Sequence, residues 1–246
     1  ILAIDQDGVL GFATADDSDS QAFQFEPLSE GCNEFPEAQS NVNADTPTYS
    51  GTTPDGRVLG MADAHVHISA TTFLGRSEWG SPFHKHGVTH AHDRCDEYHG
   101  LNGTQDEVGL AFDPEGSAGG HPTDGWPTFT AWPARDSLTH EAIYWRWLER
   151  SWQAGLRVAV NELVDNQTLC ELQRVASADP SIDCDPMNNA TNQIGSMYAM
   201  QDYIDAQYGG RGEGFFQIVW DSAEARTIGT EGKLAIVLGI EISNLF

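Results

Sequence analysis

Two segments constrain the fold most: 156–164, Leu-Arg-Val-Ala-Val-Asn-Glu-Leu-Val, and 234–242, Leu-Ala-Ile-Val-Leu-Gly-Ile-Glu-Ile. Both are short apolar runs rich in β-branched residues, which pack well on a pleated surface, so each reads as a buried strand. The chain between them reads as helix and short strand. Over 193–208, Ile194, Met197, Ile204 and Tyr208 recur near helical period, and Gly209-Gly210 ends the run. Residues 215–220 read as a short strand. Asp221 and Glu224 form a capping-box pattern that opens a short helix, closed by Gly232. Upstream, 139–153 reads as a helix capped by Ser137 or Thr139, with Glu141 in the first turn and Gly155 past the last. Its Tyr144, Trp145, Trp147, Leu148 and Trp152 cover much of its surface, so it is expected to be largely buried. A further strand, 58–68, carries Asp63-Ala64-His65-Val66-His67. Strand, long loop, helix, strand, helices, strand is the order of a parallel α/β sheet with right-handed crossovers. A doubly wound sheet and a (β/α)₈ barrel both begin this way.

The rest of the chain divides around that domain. Residues 1–28 read as the remnant of a small β domain, in which Leu2 and Ile4 alternate with small or polar residues. Asp7-Gly8 is a hairpin-turn signal, and Phe23 and Phe25 alternate again. Residues 29–57, rich in Asn, Pro, Ser, Thr and Glu, read as a linker or irregular segment. The main domain covers 58–246 and contains a loop, 69–137, full of Gly, Pro, His and Asp. So long an irregular stretch inside a compact domain is usually functional. The chain opens on Ile1 and stops on an apolar strand, and it is read as a fragment cut at both ends.

Charge narrows the function. Thirty-seven acidic residues against twelve Lys and Arg leave a net charge of −25. That excludes sequence-independent nucleic-acid binding, which rests on cations neutralising phosphates, and it disfavours anionic membrane surfaces. Only Lys85 and Lys233 are lysines, and such a surface suits a saline environment. No apolar run approaches the roughly 20 residues of a membrane helix. The four cysteines, Cys32, Cys95, Cys170 and Cys184, lack Cys-x-x-Cys spacing, so a structural zinc knot is not expected. Cys170 and Cys184 flank a polar loop short enough to close by a disulfide, and Cys32 would then pair with Cys95. Four unconnected thiols are the alternative. Paired cysteines indicate an oxidising compartment, secreted or periplasmic.

Candidate chemistry gathers at strand ends. His65 and His67, two apart on a strand, share a face and lie at its C-terminal end, where α/β folds place their sites. Two imidazoles there can share a transition metal, although hydrogen-bonded structural histidines have the same spacing. Glu241 ends the last strand, where a carboxylate is costly unless paired, exposed or metal-bound. Asn161, Glu162, Asp165 and Asn166 cluster at the end of the second long strand; they either line the same mouth or simply cap a strand-to-loop junction. The loop histidines are His84, His86, His90, His92, His99 and His121. His84-Lys85-His86 and His90-Ala91-His92 have metal-like spacing, but a flexible loop does not preorganise ligands, so most read as a polar loop over the site. No nucleophile elbow, phosphate loop or dinucleotide fingerprint is present in the sequence.

Ala62-Asp63-Ala64-His65-Val66-His67 resembles the strand-1 metal motif of the amidohydrolase, or metal-dependent hydrolase, superfamily. The segment from Gly232 to Glu241 resembles the third-strand segment of the membrane dipeptidase family. Gly125-Trp126-Pro127-Thr128-Phe129, Leu138-Thr139-His140-Glu141 and Trp147-Leu148-Glu149-Arg150 resemble secreted bacterial dipeptidase-like proteins. The resemblance covers about 58–246. It implies an incomplete (β/α)₈ TIM barrel, about the first three strands, and a binuclear zinc site at the C-terminal mouth. His65 and His67 would be first-strand ligands, and Glu241 the bridging, catalytic carboxylate. Glu162, Asn161, Asp165 and His121 are candidate pocket residues. The implied reaction is hydrolysis of a small amide or peptide by a metal-bridging hydroxide. The dipeptidases themselves carry His-x-Asp on strand 1, so His-x-His departs from their pattern, and the insertion after His67 is longer than a usual βα loop. Three strands cannot close a barrel of eight, so the site of this chain is expected to be incomplete. The alternative reading is a non-catalytic extracellular binding protein on the same scaffold.

Overall fold

The computed structural model describes residues 2–4, 10–12, 35, 37–41, 51–75, 81–92, 144–176 and 179–244. The chain divides into two units, Ile1–Glu34 and Phe35–Phe246. In the first, β1 (Leu2–Ile4) pairs antiparallel with β2 (Leu10–Phe12), Leu2 facing Phe12 and Ile4 facing Leu10. That is the hairpin expected around Asp7-Gly8, although the turn itself and Phe23–Phe25 lie outside the described residues.

The second unit is built on a parallel sheet. Its strands are β3 (Met61–Val66), β4 (Leu156–Asp165), β5 (Phe216–Val219) and β6 (Leu234–Ile242), and they lie in the order β3-β4-β6-β5. All three ladders are parallel. The α/β class read from the alternating elements therefore holds. β5 precedes β6 in the chain yet lies outside it, at the sheet edge. The Thr52–Val58 bridge lies before β3, which itself begins at Met61 rather than near 58.

One face of the sheet is covered. Val66, Ala159, Phe216, Ile218, Ile236 and Leu238 pack with Met197, Met200 and Ile204 of the long helix Pro186–Gln207. Among the described residues the α-helices in chain order are α1 (Val88–His92), α2 (Trp145–Gln153), α3 (Gln167–Ala176), α4 (Pro186–Gln207) and α5 (Ser222–Thr230). Four of them differ from the sequence expectation, the first being α1, a short helix inside the expected loop 69–137. α2 begins at Trp145, not near 139, because Tyr144 is extended (φ −147°, ψ 145°) and so cannot continue a helix from upstream. α4 begins seven residues before the expected 193: Asp185 accepts from the amides of Met187 and Asn188, and Pro186 occupies the first turn, where its missing N–H costs nothing. The apolar pattern of the sequence does not predict α3. Its inward residues are Cys170 and Gln173, whereas Leu169, Leu172 and Val175 are exposed, so apolar periodicity does not report its packing. Asn166 caps it, its Oδ1 accepting from the Leu169 amide at 3.0 Å. α5 opens as expected, with Asp221 accepting from Ala223 and Glu224 amides.

Cys170 and Cys184 form a disulfide that ties α3 to the start of α4. Both are buried beside Leu74 and Ile182. Cys32 and Cys95 lie outside the described residues. A cross-link that closes a loop of this length stabilises by about 3 kcal/mol, chiefly by restricting the unfolded chain. Replacing both Cys170 and Cys184 by Ser should therefore lower Tm by roughly 6–12 °C. An unchanged Tm for that variant in thermal denaturation would refute this role.

Residues at the start of the second unit, within the expected irregular segment, pack into it. Ala38 is buried, and the Ser40 carbonyl accepts from Arg150. Glu37 accepts from the Tyr144 hydroxyl at 2.6 Å, with Arg146 Nε 3.8 Å from its other oxygen. Burial pushes the Glu37 carboxyl above the usual carboxylate range despite these partners. A carboxyl whose pKa is raised by folding contributes stability at pH below its unfolded pKa, and that contribution is lost as pH rises through the folded pKa. Glu37→Gln should thus raise Tm at pH 7.5 and leave it nearly unchanged at pH 4. An equal shift at both pH values would contradict this.

Candidate metal centre

The register between β3 and β4 slips near the histidines. Asp63 pairs with Ala159 and Val66 with Asn161, so three steps on β3 oppose two on β4. The extra residue is a bulge, a device that re-aims side chains at the ends of strands. Asp63 stabilises it, since its Oδ1 accepts from the His65 amide at 3.1 Å. Val66 packs into the covered face, so its neighbours His65 and His67 project from the opposite face. Glu162 pairs with Gly239, and Glu241 follows two residues later on β6, so all three lie on that same face.

There the side chains converge. His65 Nε2 lies 3.1 Å from His67 Nε2 and 3.0 Å from Glu241 Oε2, and His67 Nε2 lies 3.3 Å from the same oxygen. A tetrahedral ion with bonds of about 2.0–2.1 Å holds its ligands roughly 3.3 Å apart, so the triangle has the size of one face of such a site. The His67 Nδ1–H donates to the Glu162 carbonyl at 3.0 Å. That bond settles the tautomer, leaving the Nε2 lone pair aimed at the shared point, as in metal-ligating histidines. The two rings meet edge to face, 4.8 Å between centres. Both His65 and Glu241 are about half exposed, 58% and 53%, so the centre is open on one side.

Glu162 reaches this face through a missing side chain. A Cβ at Gly239 would stand 2.2 Å from Glu162 Oε2, so the glycine leaves the space its carboxylate occupies. The Leu-Gly-Ile-Glu spacing contained that signal, since Gly in a strand interior marks a close approach.

Asn161 and Asp165 lie elsewhere. Both are buried on the helix-covered side of β4. Asn161 Oδ1 accepts from the amides of Ile68 (2.6 Å) and Ser69 (3.2 Å), and its Nδ2 donates to Ser69 Oγ (3.1 Å). Ser69 Oγ donates in turn to Gln193 Oε1, which also accepts from the Val164 amide. Asp165 accepts from the Leu74 amide and from Asn189 Nδ2. These two residues hold the chain that leaves His67; they do not line the open face. His121 lies outside the described residues, as do His99 and the stretches around Gly125 and Leu138.

A second histidine group stands on the segment after the 3₁₀ turns of Ala70–Gly75. The ligand atoms of His84, His86 and His90 all lie within 4.8 Å of one another. Burial, then the charges of His90, His86 and Lys85, hold His84 below the usual imidazole range. Two clefts, of about 620 Å³ beside Cys184 and Arg174 and of about 450 Å³ beside Trp220, include neither histidine group.

Comparison with protein-family models, with curated proteins and with solved structures finds no match to the chain.

Proposed function

We propose that this chain carries part of a metal-dependent hydrolase of amide or peptide bonds, dipeptidase-like, acting on a small substrate with zinc. The observation that supports it is the closure of His65, His67 and Glu241 on one point at the C-terminal end of a parallel sheet. We read β3, β4 and β6, which neighbour one another in the sheet, as the first three strands of a (β/α)₈ barrel. β5 at the outer edge departs from sequential winding.

Zinc, when bound, would act as a Lewis acid on the substrate carbonyl and lower the pKa of water. The protein's share is positioning and charge. The Asp63-stabilised bulge sets His65, and the Glu162 carbonyl sets His67. Glu241 brings a negative charge to two neutral rings, which offsets half of a dication's charge and leaves an electrophilic centre. The open side of the centre gives a substrate access. The disulfide supports a secreted or periplasmic setting.

The test is hydrolysis by the full-length protein. Chelation should abolish cleavage of a dipeptide panel, followed by chromatography of the released amino acids, and zinc should restore it. Zinc bound through these residues with no amide cleaved would overturn the hydrolase reading and favour a binding protein.

A further inference from the structure

We propose that His84, His86 and His90 form a second transition-metal site, built on a different segment from the His65–His67–Glu241 centre. The three ring centres form a near-equilateral triangle, with sides of 5.1, 5.1 and 4.9 Å. An ion held by three imidazoles at about 2.0–2.1 Å places the ring centres roughly 5 Å apart, so the rings already stand at the spacing of a three-histidine site.

The segment that carries them is anchored, which answers the objection that a flexible loop does not preorganise ligands. The Pro82 carbonyl accepts from the Trp145 amide at 2.8 Å, at the start of α2. The Tyr203 hydroxyl of α4 donates to the His84 carbonyl at 3.3 Å, and Phe83 packs on the Tyr203 ring. The Ser81 amide donates to the Ala91 carbonyl, which closes the segment on itself, and Val88 and Ala91 are buried beneath it. Both ends of the triangle therefore rest on the packed core.

Stacking alone is a weak reason to gather these side chains. Three imidazoles gain little from one another and repel as they protonate. One shared cation turns the same arrangement into a stable one, and the chain's net charge of −25 favours cations generally. His84 Nδ1 accepts from the His86 amide at 3.0 Å. Loading the ion costs that bond through either nitrogen: at Nδ1 the metal replaces it, and at Nε2 the ring proton must move to Nδ1, which then no longer accepts. Imidazole donors select zinc, copper or nickel over magnesium or calcium.

The experiment uses the chain with His65→Ala and His67→Ala, so that loss of the first centre cannot mimic loss of the second. Zinc is titrated against a chromophoric chelator, and Co²⁺ absorption reports the coordination. The background variant should bind one equivalent. Adding His90→Ala, an exposed position, should weaken it by ~100-fold or more, at least the effect of losing an outer partner. Thr230→Ala, an exposed change on α5, should leave it unchanged. If the background variant fails to fold, as judged by circular dichroism, the same comparison is made in the wild-type chain. There His90→Ala should remove one of the bound equivalents. Equal zinc binding with and without His90, or no zinc bound by the folded background variant, would overturn the site.

Discussion

Replacing His65 and His67 together by alanine should abolish one bound zinc equivalent, and Glu241→Gln should weaken the same ion by ~100-fold or more, since a direct ligand counts for at least as much as its outer partners. The reason is geometric. The three ligand atoms stand 3.0–3.3 Å apart around one point, and no two of them complete that set. Glutamine keeps the length of Glu241 and removes its charge, so it separates electrostatics from shape. The side chains of His65 and Glu241 are about half exposed, so the metal-free Tm should move little. This separates ligand loss from unfolding. Equilibrium dialysis with metal analysis reads the result. Because the His84 group remains, the informative quantity is the loss of an equivalent relative to wild type. Unchanged zinc content in the double variant would sink the assignment of these ligands.

Asn161→Ala should destabilise the second unit by about 4 kcal/mol, because it strands two buried amides, at about 1–3 kcal/mol each, and deprives Ser69 of a partner. Asn161 is fully buried. Its Oδ1 is the acceptor for both the Ile68 and the Ser69 amides, immediately after His67. The neighbouring hydroxyl, Ser69 Oγ, is already committed to Gln193 and does not replace that acceptor. At roughly 2–4 °C per kcal/mol, Tm should fall by about 8–16 °C. Zinc affinity should fall as well, because His67 depends on the same stretch of backbone. Chemical denaturation with a linear extrapolation measures the first effect. A loss under 1 kcal/mol would mean that water or a backbone shift satisfies both amides.

Strand identity was readable because 156–164 and 234–242 are apolar and β-branched. Their burial then made a parallel α/β sheet the natural solution. His65 and His67 were readable as a pair because strand side chains alternate, so residues two apart share a face whatever surrounds them. Cys170 and Cys184 were readable as partners because the loop between them is short. Helix starts were less so. Asp185-Pro186 carried a cap and first-turn signal ahead of the apolar period, and the period began late because α4 first meets β4 through the buried polar side chains of Asn189 and Gln193.

Chain order alone determined the α/β class, the shared face of the two histidines and the closeness of Cys170 to Cys184, because each depends on a local period or a short separation. Only the tertiary structure decided which carboxylates and amides accompany the histidines. The one-residue bulge at Asp63–Val66 and the register of β4 against β6 bring Glu241 from far along the chain onto their point. The same register turns Asn161 and Asp165 into the covered face, where they serve the backbone. Likewise, His84, His86 and His90 are a loose motif in the sequence and a triangle in space, because α2 and α4 clamp the segment that bears them. Register and packing join residues that no local pattern connects, and a shift of one position along β4 would have exchanged the two faces.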